Sequence, residues 1–347
     1  MTILCGGLYD VLETSVSRVQ NKLSGFAAKA ARANILGRIA RPDDKAYFLS
    51  GGDEGAYWLM STGSFKTRAL TDIEFSVLVK ARLGLRVVKG CDAPTECPRC
   101  HSKAGTEPQL IGPSGTHALI CGELGKGGAR GQRNVRHMIV KTAVRNAMAD
   151  TARPGVVFDA KEPVVTDYFA AKPGVVLTEK QNRADIQAVF AGRTVLIDTV
   201  VTHPVTRGNK ADRAIKPGVA ADLSNKQKEL QYNKLFDIPV GLLVPFAMET
   251  GGRWHPVARD FVKRWVKFGM SAGETAEPDL KDPVILAAYT ARVAQFRATV
   301  SLALATAVAS TLKYGVDHLS KGAVDPSSVP AGDDSDADSD ASAPASA

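Results

Sequence analysis

Arg183-Ala-Asp-Ile-Gln-Ala-Val-Phe190 and Thr194-Val-Leu-Ile-Asp-Thr-Val-Val-Thr202 read as two strands on either side of an Ala-Gly-Arg193 turn. The second is a nearly continuous β-branched run of buried-strand type. Asp198 interrupts it. A carboxylate inside an apolar strand is costly unless it is paired or holds a cation. Asp185 stands at the start of the first strand. A hairpin folded at 191–193 sets it opposite a residue near 199, which brings both acids to one end. Two close carboxylates repel, and a hard divalent metal resolves the conflict. On the competing reading one acid lies at a solvated strand end and the other pairs with an arginine.

Around this pair the order of elements is α/β. Residues 132–150 read as a helix with Val135, Met138, Ile139, Ala143 and Ala147 in one apolar stripe. Gly174-Val-Val-Leu-Thr178 reads as a short strand before the hairpin. A Gly/Lys/Arg-rich loop over 206–218 leads to a helix from Ala220 to Leu235, and Ile238 to Phe246 is a further strand-type run. Helix, three strands, helix and strand imply a crossover back onto one sheet. Arg253 to Phe268 is amphipathic and helical, and Leu280 to Tyr314 is Ala-rich, helical and too polar to span a membrane.

Nearer the start, residues 10–40 place Val11, Val16, Val19, Leu23 and Phe26 at helical spacing among basic positions. Residues 41–67 are Gly- and Asp-rich and read as loop. Thr71-Asp-Ile-Glu-Phe opens a helix that continues to about Leu83, with acids in its first turn. From Gly322 onward Asp/Ser/Ala/Pro repeats cannot bury a core and read as disordered. The expected organisation is a mostly helical region at 1–87, a metal-binding knuckle and basic linker at 88–131, the α/β core at 132–270, a helical region at 271–321 and an acidic tail at 322–347.

The knuckle rests on Cys97-Pro-Arg-Cys100 and His117-Ala-Leu-Ile-Cys121. Two thiolates from one tight turn, then a His and a Cys four apart, make a tetrahedral Zn2+ set. Gly and Pro residues between them let the chain fold back on the ion. Four protein ligands make the site structural; Cys91 and His101 are the substitutes for a missing donor. Gly125-Lys-Gly-Gly-Ala-Arg-Gly131 lacks the Gly-Lys-Ser/Thr ending of a phosphate loop and reads as a basic linker.

The formal net charge is +8, and the segment Asp333 to Asp340 carries five aspartates; without them 44 Lys and Arg face 31 acids, or +13. Such a surface suits a polyanion. Arg133, Arg136, Lys141 and Arg145 recur at spacings of three and four and are the candidate phosphate contacts, while His137 among them reads as a surface or capping residue. No start of basic-then-apolar type indicates secretion. Reduced cysteines suit the nucleus or cytoplasm, and DNA binding favours the nucleus.

Together Ala184-Asp185, the twelve-residue gap, Leu-Ile-Asp198 and Thr-Val-Val-Thr-His-Pro204 resemble the restriction-like, PD-(D/E)XK-type endonuclease region of non-LTR retrotransposon proteins. Further stretches follow in order: Gly55-Ala-Tyr-Trp-Leu, Phe75 through Arg82-Leu-Gly-Leu85, both Cys/His motifs, Glu162-Pro163 and Val244-Pro-Phe-Ala-Met-Glu-Thr-Gly251. The resemblance runs from about residue 50 to 268. It implies a small mixed-sheet restriction-endonuclease-like core flanked by helices behind a zinc knuckle, and a nuclease that nicks DNA with Mg2+ or Mn2+ held by Asp185 and Asp198. The nick would prime reverse transcription by a reverse transcriptase on another chain, with element RNA as a further partner.

Departures are specific. Ala184 stands where many such nucleases have proline, and Val200 occupies the usual lysine position. In this group a lysine four residues before a tyrosine serves instead, a pattern matched by Lys228 with Tyr232. Helical periodicity points instead to Lys226, nearer the Val219, Leu223, Leu230 stripe expected to face the sheet. Glu162 is the candidate third acid. No Tyr-x-Asp-Asp motif is present, so the chain reads as a detached C-terminal piece that does not polymerise. The alternative is a non-catalytic, zinc-containing nucleic-acid-binding remnant.

Overall fold

The computed structural model describes residues 24, 26–52, 54–60, 69–87, 95–97, 110–121, 129–152, 158, 161–190, 192–205, 216–271 and 277–320. The acidic tail, most of the basic linker and most of the 206–218 loop lie outside them. The architecture is mixed helix and strand around a small three-stranded sheet.

Residues 26–38 form a largely exposed helix, α1. The expected loop after it is in part a second helix, α2, Pro42–Leu49. Pro42 presets the first turn, Asp43 and Asp44 complement its dipole, and burial of Ala46, Tyr47 and Leu49 holds a segment that composition alone marks as loop. A 3-10 turn, Glu54–Met60, follows. Helix α3, Asp72–Arg82, starts where its sequence places it. Thr71 Oγ1 accepts from the Glu74 amide and Glu74 Oε2 accepts from the Thr71 amide, a closed capping box.

Two short antiparallel strands, β1 (Thr95–Glu96) and β2 (Leu110–Ile111), precede a 3-10 turn at Thr116–Leu119. Helix α4, Ala129–Thr151, follows and packs against the sheet. Its buried positions are Arg136, Val140, Ala143, Val144, Ala147, Met148 and Thr151, while Val135 and Met138 are exposed. The apolar stripe read from the sequence is therefore rotated, because a buried arginine takes the place of an apolar residue at its N-terminal end.

The hairpin forms as expected: β3 (Ile186–Phe190) pairs antiparallel with β4 (Arg193–Thr202), in register from Ile186↔Ile197 to Phe190↔Arg193. Gly192 takes the left-handed conformation that the tight turn needs (φ 73°). Helix α5, Val219–Leu235, crosses over and returns the chain to β5, Leu243–Glu249, parallel to β4 from Leu196↔Leu243 to Thr202↔Glu249. The order is β3-β4-β5, a mixed sheet with β4 central. Two strand expectations move. Residues 174–178 join no strand, and the last strand starts at Leu243 because Pro239 and left-handed Gly241 form a turn, closed by the Leu242 amide on Pro239 O (3.1 Å).

Helix α6, Pro256–Met270, and helix α7, Pro283–Ser320, complete the fold. Ile186, Ile197, Phe246 and Met248 share one core with Val144 of α4, Trp265 of α6 and Phe296 of α7. Leu196 turns the other way and packs with Val165, Ala184, Tyr232 and Phe236 beneath α5. Uninterrupted, α7 is long and apolar enough over Pro283–Gly315 to cross a membrane, contrary to the expectation from its polar residues; its most apolar part is mostly buried inside the protein, while its first turns, with Val284 and Leu286, are exposed. Its apolarity is accounted for by the core, which the N-terminal, central and C-terminal regions share.

Candidate metal centre and acid site

At the knuckle Cys97, His117 and Cys121 are buried, and their ligand atoms lie within 4.8 Å of one another. The two Sγ atoms are 3.8 Å apart. That is far beyond a disulfide, and two thiolates on one tetrahedral Zn2+ at about 2.3 Å stand about 3.8 Å apart. The donor set fits zinc. Left-handed Gly115 (φ 68°) starts the turn that carries His117, and the Cys121 amide closes it on His117 O (2.9 Å). Buried Asp44 pins the same loop, accepting Ser114 Oγ at 2.5 Å and Thr116 Oγ1 at 3.4 Å. Cys100, Cys91 and His101 lie outside the described residues.

The second site gathers three acids and three basic side chains, His137 and Lys141 from α4 and Lys228 from α5. One step beyond the Ile186↔Ile197 pair the register sets Asp185 across from Asp198. Asp185 Oδ2 accepts the Thr199 amide (2.7 Å) and the Thr199 hydroxyl (2.6 Å), and its Oδ1 lies 3.2 Å from His137 Nε2 of α4. Asp198 points toward α5, where Lys228 Nζ lies 2.9 Å from its Oδ2. Glu162, in the coil before Pro163, receives Lys141 Nζ of α4 at 2.5 Å. Tyr232, one turn after Lys228, donates its hydroxyl to Arg183 O (2.9 Å) beside Asp198. Among the described residues, the knuckle is the one group of three His, Cys, Asp or Glu donors lying mutually within 4.8 Å.

These contacts push the acids apart in ionisation. Burial acts to raise Asp185, but the His137 hydrogen bond and charge and the two Thr199 bonds outweigh it, holding the carboxyl below its usual range. Burial raises Asp198; Lys228 opposes the rise and the Asp185 charge adds to it. The hydrogen bond to Asp185 raises His137 against the opposing effect of burial. Burial and the charges of Asp198, Asp185 and Glu162 raise Tyr232, which stays a neutral donor.

Lys228 rather than Lys226 reaches the acids. The buried face of α5 is Ala220, Ala221, Asn225 and Tyr232, whereas Leu223 and Leu230 are 44% and 71% exposed. The expected Val219/Leu223/Leu230 face is thus not the sheet-facing one, and Lys226 sits exposed outside the site. The basic stripe of α4 also divides. Arg133 is exposed, and Arg145 is half-buried with a partner of its own. Arg136 is 3% exposed and donates to Leu119 O in the knuckle turn (3.4 Å), while Lys141 joins Glu162. Desolvation lowers Arg136 to about 10. His137 was missed as a site residue; its i,i+4 spacing to Lys141 was the available signal.

Protein-family models, curated proteins and solved structures were each compared with the chain, and none matches.

Proposed function

We propose that this chain is a metal-dependent DNA endonuclease domain that hydrolyses a phosphodiester to leave a nick. The observation that carries the reading is the convergence of Lys228 on Asp198 across a β-α-β crossover, with Asp185 set opposite by the hairpin. Two carboxylates and one lysine brought together where the β3–β4 pairing ends are the parts that phosphodiester hydrolysis requires.

Asp185 and Asp198 would hold Mg2+ or Mn2+. A bound divalent ion supplies Lewis-acid polarisation of the phosphoryl oxygen and a more acidic attacking water. Lys228 stabilises the negative charge that develops on the phosphoryl oxygens, or orients the water. Thr199 holds Asp185 in place, Tyr232 sits beside Asp198 with its hydroxyl on Arg183 O, and Glu162 with Lys141 supplies a third acid–cation pair. Zn2+ on Cys97, His117 and Cys121, completed by Cys100, would brace the knuckle against α4 without taking part in chemistry. A polymerase on another chain, element RNA and a nuclear location follow from the resemblance and stand with it.

The alternative, a non-catalytic nucleic-acid-binding remnant, draws on one observation: each acid is already matched by a basic side chain of the chain itself. Supercoiled plasmid separates the two. With Mg2+ or Mn2+ the parent protein should nick it, and Asp198→Asn and Asp185→Asn should bind DNA without nicking. A parent protein that binds but leaves plasmid supercoiled establishes the remnant instead.

A further inference from the structure

We infer that His137 is a positioning residue of the acid pair, fixing the Asp185 carboxylate so that one of its oxygens faces a divalent cation; the inference rests on the proposed function. The sequence gives His137 no role, and the geometry does. Thr199 takes both of its hydrogen bonds to Oδ2, which locks that oxygen against β4. Rotation about the remaining bond is stopped by His137 Nε2 on Oδ1. Because an ionised carboxylate only accepts, Nε2 carries the hydrogen, and Oδ1 keeps a lone pair free for a cation.

His137 is itself fixed by its neighbours on α4. Arg136 is buried against the knuckle turn, Val140 lies in the main core, and Lys141, one turn on, holds Glu162. One turn of helix therefore ties the knuckle to two acids. Partners that orient a metal-binding carboxylate in this way change metal affinity when removed, typically by about 10- to 100-fold. An ion pair that merely staples α4 to the hairpin would not. The His137 side chain is 35% exposed, so shortening it leaves no core cavity.

The experiment is Mn2+ titration of the full chain, reading free Mn2+ by electron paramagnetic resonance, with unfolding midpoints recorded for every variant. His137→Ala should weaken Mn2+ binding by about 10-fold. His137→Gln, which restores an N–H donor at similar reach, should recover most of that loss. Unchanged or tighter binding by His137→Ala, or a Gln variant as weak as Ala, overturns the inference. If the parent protein shows no Mn2+ binding sensitive to Asp198→Asn, the proposed function falls and takes this inference with it; a sensitive parent with an indifferent His137→Ala removes the inference alone.

Discussion

Lys228 Nζ and Asp198 Oδ2 lie 2.9 Å apart, one on the crossover helix and the other on the strand that precedes it. Asp198 is 5% exposed, so its charge has little water to replace the lysine. Breaking a buried pair from one side costs about 3–5 kcal/mol. The half-exposed lysine stem reduces this to roughly 2 kcal/mol for Lys228→Met. Adding Asp198→Asn should recover most of the loss, as chemical denaturation of the four proteins in the cycle would measure.

The knuckle should carry one Zn2+ per chain. Cys121→Ser should release it, seen by metal analysis, and loosen residues 95–121. The sheet should stay folded, because its core is separate from the Cys97, Ile111, Ala118, Cys121 cluster. Hydrogen exchange resolves the two regions.

DNA affinity should fall with salt, and the α4 arginines should differ. Exposed Arg133 can neutralise a phosphate, so Arg133→Gln should reduce the salt slope by about one unit. Arg136 has Nε and Nη1 buried without a partner among the described residues, and a charge so placed adds little stability. Arg136→Met should leave the slope unchanged. Equal effects of the two substitutions would place Arg136 on the DNA.

Burial raises Asp44 despite its bonds to Ser114 and Thr116. A carboxyl raised in the folded state contributes stability that is complete below its ordinary pKa and is lost as pH rises through the folded value. Asp44→Asn removes that dependence. The stability deficit of the variant should therefore shrink from pH 4 toward neutrality in urea unfolding.

What sequence could read here was local. The β-branched run and Gly192 announce the hairpin, and Thr71 with Glu74 announces α3. The partners of the acids were harder, since His137 and Asp185 are 48 residues apart and periodicity carries no such information. Apolar spacing misled on α5, where small Ala220 and Ala221 allow close approach to the sheet while Leu223 and Leu230 face outward. The lysine-to-tyrosine spacing points to Lys228, the lysine that lies 2.9 Å from Asp198, where the stripe favours Lys226. On α2, burial of Tyr47 overrode a loop-like composition.

The most direct measurement is an anomalous difference map from crystals of the full chain grown with Mn2+. The account predicts a peak within coordination distance of a carboxylate oxygen of both Asp185 and Asp198, with Lys228 displaced from its bond to Asp198 or turned toward a bound phosphate. A peak elsewhere, or none at the acid pair while Lys228 keeps its bond to Asp198, would contradict it.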